Sequence, residues 1–249
     1  MSVAQVSWQG GVCRLLLDRP GQGNALSPAL VEAIDATVAE CAARGAALLV
    51  IEGAGRHTCT GFDLSGLEHA TDDSLLARFV RIELMLQRLA RAPFPTLAVA
   101  RGRTVGAGAD LFTACTHRVM AADATLAFPG ARGFGLVLGS RRLAARVGAE
   151  RALDWAGSAR TIGAPEALAS GLATQVLEAG HTLEAAIAAA RAPAPQPAVP
   201  GLAAAIAGDA GHDDARDLAA LVHSAARPGL RDLVVAYVER QARARAATH

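Results

Sequence analysis

Continuous apolar runs separated by glycine- and proline-rich turns fill the first half of the chain, and apolar stripes at helical spacing fill most of the second. "VCRLLLD" (12–18), "AALLVIEG" (46–53), "TLAVA" (96–100) and "HRVMAA" (117–122) read as short strands buried on both faces. Between them, "SPALVEAIDATVAECAAR" (27–44) and "SLLARFVRIELMLQRLARA" (74–92) space their apolar residues three and four apart. Ser27 as cap and Pro28 at the first helical position mark one helix start, and "PFP" closes the second helix. A short helix is predicted near 107–115. After about 139 the pattern turns helical through "SRRLAARVGAERALDWAG" and "APEALASG". A strand-like "ATQVLE" and a helix from 182 follow, then helices over roughly 213–225 and 228–245. The Pro-rich "RAPAPQPAVPG" (191–201) is the hinge or linker candidate, dividing a core (1–190) from a helical module (191–249). Strands alternating with helices predict an α/β fold with substantially parallel pairing.

Composition narrows the partners. The 249 residues suffice for a sizeable core, and with 52% hydrophobic but only 4% aromatic residues that core is built largely from Ala, Val and Leu. A formal charge of +1 removes the broad electrostatic case for nucleic acid or an anionic membrane. The sequence has no Lys, so all 24 cationic side chains are Arg and any cationic phosphate contact must be a guanidinium. Cys13, Cys41, Cys59 and Cys115 form no C-x-x-C pair, which points to reduced, buried thiols, with no disulfide frame or zinc site. The N-terminal residues lack a signal-peptide profile and no apolar run is long enough for a membrane span. A soluble, cytoplasmic protein is expected.

Two glycine turns follow apolar strands: "EGAGRHTCTGFDL" (52–64) and "TVGAGADL" (104–111). Asp110, two residues beyond Gly108, fits a helix residue favoured by the macrodipole, a dinucleotide-binding turn, or a catalytic group beside an anion-binding backbone. The dinucleotide motif needs a third glycine, and Thr58 and Leu111 stand in its place. The turns do offer backbone N–H groups at strand-to-helix junctions, and two such donors aimed at one point can hold a developing oxyanion.

The same segments carry a resemblance. "LLLDRPGQGNALSPALVEAIDATV", "VIEGAGRHTCTGFDLSGL" and "ARGRTVGAGADLFTACTHRVMAADATLAFP" resemble successive blocks of the enoyl-CoA hydratase/isomerase (crotonase) family. The match continues through "GLVLGSRRLAARVGAERALDWAGSARTIGAPEALASGLATQVLE" to "RPGLRDLVVAYVER", nearly the whole chain. It implies an α/β crotonase-type spiral of β-β-α units with a C-terminal helical module that forms homotrimers or hexamers. It implies an acyl-CoA thioester substrate whose coenzyme A is no separate cofactor, and no metal. The resemblance assigns the Phe62 and Ala107 amides to the oxyanion site; the family usually has Gly at the latter place, and Ala keeps the N–H while adding a methyl. Gly21, Gln22, Gly23, Thr60, Asp63 and Leu64 are implied along the coenzyme A cradle. Gly21 stands where a cation is common, so Arg56 becomes the phosphate candidate. Of the family's two catalytic glutamates, the first aligns with Asp110 and the second with Gly130. One acid suffices for a double-bond isomerase; a non-catalytic acyl-CoA binder, a decarboxylase and a hydrolase stay open. Asp63 is also read as holding its loop, His57 as a nucleotide contact or surface residue, Glu68 and His69 as reaching the acyl pocket, and Cys59 and Cys115 as core. The pocket walls are expected from 65–80 and 130–140.

Overall fold

The computed structural model describes residues 2–177, 182–192 and 209–246. Its main sheet has six strands in the order β1-β2-β3-β4-β6-β9. These are β1 (Ala4–Gln9), β2 (Val12–Leu17), β3 (Leu48–Gly53), β4 (Thr96–Ala100), β6 (His117–Ala121) and β9 (Gln175–Leu177). β1 pairs antiparallel with β2, and every later neighbour pairs parallel. A parallel neighbour requires a crossover, which α1 (Pro28–Arg44) supplies between β2 and β3 and α2 (Asp72–Ala90) between β3 and β4. Ser27 accepts from the Leu30 N–H at the start of α1, and Thr71 and Ser74 form a reciprocal capping box on α2.

The apolar run of β4 is buried throughout, as its pattern predicted, while β2 leaves Arg14 and Leu16 half-buried and β3 is buried from Leu48 to Ile51. Leu15, Leu17, Leu49 and Ile51 pack with Leu30, Ile34 and Val38 of α1. Val12, Leu48, Val50, Leu97 and Val99 pack with Ala186, Ile187 and Ala190 of α8 (Leu183–Ala190). A second sheet, ordered β5-β7-β8, joins β5 (Arg103–Val105), β7 (Thr125–Ala127) and β8 (Ile162–Gly163). α3 (Ala107–Ala114) leaves the end of β5 and is buried along its whole length.

Beyond β7 come α4 (Gly130–Phe134), α5 (Ser140–Val147), α6 (Ala149–Ser158) and α7 (Ala164–Ala169). The single helical pattern expected over 140–158 is broken at Gly148, whose φ of 84° and ψ of 154° end one helix and begin the next. α9 (Ala210–Ala225) and α10 (Leu230–Ala246) form the C-terminal pair. Their Leu221, Ala225, Leu230 and Val234 pack in one cluster with Leu75 and Phe79 of α2 and Phe134 of α4, so their apolar faces are covered within the chain. Of the segment read as a linker, 193–201 lies outside the described residues. No helix among the described residues is long and apolar enough to cross a membrane.

Candidate functional site

The two glycine turns meet. The 58–63 loop is stitched to its neighbours by isolated parallel bridges, Leu26 to Phe62 and Cys59 to Thr104. Leu26 N–H donates to Gly61 O (2.7 Å), Asp63 N–H to Leu26 O (3.4 Å) and Val105 N–H to Cys59 O (3.0 Å). These bonds flank Phe62 and leave its own N–H without an acceptor among the described residues. The Ala107 N–H is equally free: it opens α3, and Gly106 before it, at φ 55° and ψ −127°, has no side chain to cap the helix. Gly61, at φ 100°, brings the turns together; a Cβ there would lie 2.6 Å from Val105 O and 3.6 Å from Ala107 N. Gly108 plays the matching part in the second turn, since a Cβ on it would overlap Cys59 O.

Both turns line one cavity whose space, counted out to solvent, is about 750 Å3. Phe62, Phe79, Phe128, Phe134, Leu136 and Leu143 make its wall apolar. Phe62 stacks on Phe79 with centroids 4.3 Å apart, Phe79 on Phe134 at 6.0 Å, and Tyr237 of α10 meets the Phe134 ring edge-on at 5.4 Å. The expected walls are therefore half right: 130–140 contributes strongly, while of 65–80 only Phe79 lines the cavity. Glu68 and His69 stay exposed on a turn outside that lining, because the chain bends away after Leu67, whose own side chain is buried.

Asp110 lines the same cavity, 5% exposed, and accepts no hydrogen bond among the described residues. Burial pushes its carboxyl well above the ordinary carboxylate range; Arg142 pulls the other way and Glu83 adds to the rise. Gly130 lines the cavity too, with no carboxylate to pair with Asp110.

A second, wetter groove shares Thr60, Phe62, Leu64, Val105 and Tyr237 with the cavity. It holds the predicted Gln22, Gly23, Thr60, Asp63 and Leu64, whereas Gly21 lies outside its lining. Arg56 is not there either. It lines an adjoining recess with Arg101 and Arg103, and Arg103 and His57 face both spaces. Arg103 escaped the sequence reading although it directly precedes the glycine turn; only the pairing of β5 with β7 places it at the groove. His57 Nδ1 accepts from the Arg103 N–H at 3.1 Å, and burial together with Arg56 and Arg103 lowers its pKa, keeping it neutral. The Asp63 side chain turns inward to Arg19 (2.8 Å) and the Ser65 N–H (2.9 Å) and so holds the loop. Burial opposes its ionisation, but the Ser65 and Arg19 contacts win and hold its carboxyl below the usual range. Cys59 and Cys115 are fully buried core residues, and no group of acids, histidines and thiols among the described residues could hold a metal.

Comparisons with known proteins identify the family and the fold. Residues 12–232 match the model of the enoyl-CoA hydratase/isomerase family. A Mycobacterium bovis protein carried as "Probable enoyl-CoA hydratase echA6" is 35% identical over 170 residues, 66% of this chain and 67% of that protein. Mouse ethylmalonyl-CoA decarboxylase is 30% identical over 185 residues, 71% of this chain but 56% of its own length. The crystal structure of an enoyl-CoA hydratase/isomerase-type protein from Bordetella parapertussis superposes with a TM-score of 0.84 at 38% identity, covering 96% of this chain and 99% of that one. A Mycobacterium paratuberculosis relative of 24% identity shares the fold, with a TM-score of 0.77 and 94% and 98% coverage.

Proposed function

The chain belongs to the enoyl-CoA hydratase/isomerase family, and from that premise we propose that it acts on acyl-CoA thioesters through an enolate. The Phe62 and Ala107 N–H groups would receive the negative charge that develops on the thioester oxygen, in an apolar setting where such donors are worth most. Removing one donor of this kind typically costs about 2.7–4 kcal/mol of transition-state stabilisation. Asp110 would move the proton. One acid whose pKa is raised toward the working pH serves both to remove a proton from one carbon and to return it to another, as a double-bond isomerase requires. Two-carboxylate hydration would lack its second group if Gly130, which lines the cavity, stands at the second glutamate's place as the resemblance implies. Coenzyme A would enter only as part of the substrate, along the groove at Gln22, Gly23, Thr60 and Leu64, with Arg103 and Arg56 nearest for its phosphates. The expected trimer or hexamer, with 191–249 as its assembly module, is tested by light scattering of the purified protein.

The observation that carries this reading is the lone unbonded carboxyl in one apolar cavity with two unclaimed N–H groups. The test is turnover of 2- and 3-enoyl-CoA thioesters by wild type and Asp110→Asn. Loss of about 10²–10⁴ in rate supports it, and equal turnover removes Asp110 from the chemistry. The likeness to ethylmalonyl-CoA decarboxylase favours a second reading, loss of carbon dioxide from a 2-carboxyacyl thioester. There the departing carbon dioxide leaves the bond pair as an enolate, and neutral Asp110 protonates the α carbon. Carbon dioxide release from such a thioester distinguishes the two readings. Tight acyl-CoA binding with no turnover of either class would leave only a binding protein.

A further inference from the structure

Arg142 sits three residues into α5 at 7% exposure and is held from two sides. Its terminal nitrogens donate to both oxygens of Glu83 on α2, at 2.9 and 2.5 Å, and to Asp217 on α9 at 3.1 Å. Its Nε is buried with no acceptor. The same helix begins against Asp110: a Cβ on Gly139, the residue before α5, would overlap the Asp110 carboxyl. Glu83 is itself fully buried. Apolar residues could join these three helices as well, since a buried ion pair seldom adds net stability over a hydrophobic replacement. The charges therefore need another reason to be there.

We infer that Arg142, held in place by Glu83, is the counter-charge of Asp110: it is a positioning residue that compensates the carboxylate each time Asp110 gives up its proton. The inference rests on the enolate reading for its chemistry. When the Asp110 O–H bond breaks and the enolate's electron pair takes the proton to form C–H, a carboxylate remains in an apolar cavity with no hydrogen-bond donor of its own. Arg142 is the cation acting most strongly on it, and the N-terminal end of α5 adds partial positive charge. Glu83 and Asp217 fix the guanidinium, and Glu83 keeps it from stabilising the carboxylate outright. Tyr237 of α10 lines the same cavity.

The test titrates Asp110 directly, by 13C NMR of carboxyl-labelled aspartate in the full chain without any thioester, its resonance assigned by its loss in Asp110→Asn. Arg142→Gln raises the titration by about one pH unit or more, Glu83→Gln lowers it comparably, and Arg142→Lys stays close to wild type. An Asp110 titration that is the same in all three folded variants overturns the pair. Should the two neutralising core variants fail to fold, Asp217→Asn at the edge of α9 carries the test: it leaves Arg142 less neutralised and lowers the titration, and no movement overturns the proposal. The shifts expected here in a protein that turns over no thioester would sink the enzymatic reading and leave the pair standing. Unmoved titration beside Asp110-dependent turnover would do the reverse.

Discussion

Replacing Gly61 by alanine tests the meeting of the two turns. The new Cβ starts 2.6 Å from Val105 O, a backbone atom of the strand that leads into the Ala107 amide. Reaching ordinary contact near 3.4 Å needs a retreat of about 0.8 Å, and the bridge from Cys59 to Thr104 confines that movement to the Phe62 and Ala107 side of the loop. Misplacing a positioned group by about 1 Å can cost roughly a hundredfold in rate, so kcat/KM for the best thioester should fall about 10²-fold. Backbone strain at φ 100° adds about 1–3 kcal/mol of lost stability, because an L side chain seldom adopts that conformation. Strain alone is controlled by Gly148→Ala, where φ is 84° but nothing lies within 4 Å of the new methyl. Both variants should melt lower, and only Gly61→Ala should lose activity. Steady-state kinetics beside thermal melts decide it. A folded Gly61→Ala variant with wild-type kcat/KM would refute the convergence of the two N–H groups on one oxygen.

Asp110→Asn should melt higher than wild type at neutral pH. Because the folded carboxyl is raised, the wild type loses stability as pH rises from the unfolded value near 4 through the folded one. Melts from pH 4 to 8 should show the gap opening upward, at about 2–4 °C per kcal/mol for a chain of this length. Asp63→Asn runs the opposite way: the carboxyl is held below the usual range, so its contribution is present at neutral pH and lost as pH falls. That variant should be less stable by about 1–3 kcal/mol at pH 7 in denaturant titrations, with the difference closing in acid. Gly130→Glu restores a second carboxyl to the cavity without overlap, since the nearest atom to its Cβ is Leu136 O at 3.5 Å. Hydration of a 2-enoyl-CoA, followed by loss of thioester conjugation in the ultraviolet, should rise in that variant.

Elements with strong, long patterns were legible. α1 announced itself through its cap and period, α2 through its period although its Thr71 cap and first residues were not read, and β2, β3, β4 and β6 through apolar runs. β1 was not read as a strand, because Val6 and its neighbours stay largely exposed at the sheet edge and carry no run. The second sheet was invisible, since strands of two or three residues are too short to show a period. The site divides the same way. Its glycines stand where a positive φ or a close approach admits little else, so Gly61 and Gly108 carry the local signal. The Glu83–Arg142 pair spans 59 residues and joins two helix faces that only tertiary packing brings together. Tyr237 reaches the cavity from α10, at the far end of the chain.

One physical cause acts on both halves of the cavity. Excluding water strengthens every remaining electrostatic interaction and makes any charge without a partner expensive. The Asp110 carboxyl has no donor among the described residues, and burial raises its pKa, which favours the protonated form. The Phe62 and Ala107 N–H groups have no acceptor among the described residues, and on the proposed reading they would hold a negative oxygen between them. In that reading, a neutral acid beside two N–H donors suits an enolate that forms at the donors and is quenched by the acid. Activating water for addition to a double bond needs the reverse, an ionised carboxylate in the same apolar space with donors to hold it. Arg142, whose charge opposes the rise in the Asp110 pKa, is already shared by Glu83 and Asp217. On the proposed reading, quenching an enolate, as decarboxylation requires, asks only for the neutral acid, whereas removing a proton from carbon, like activating water, asks for the carboxylate.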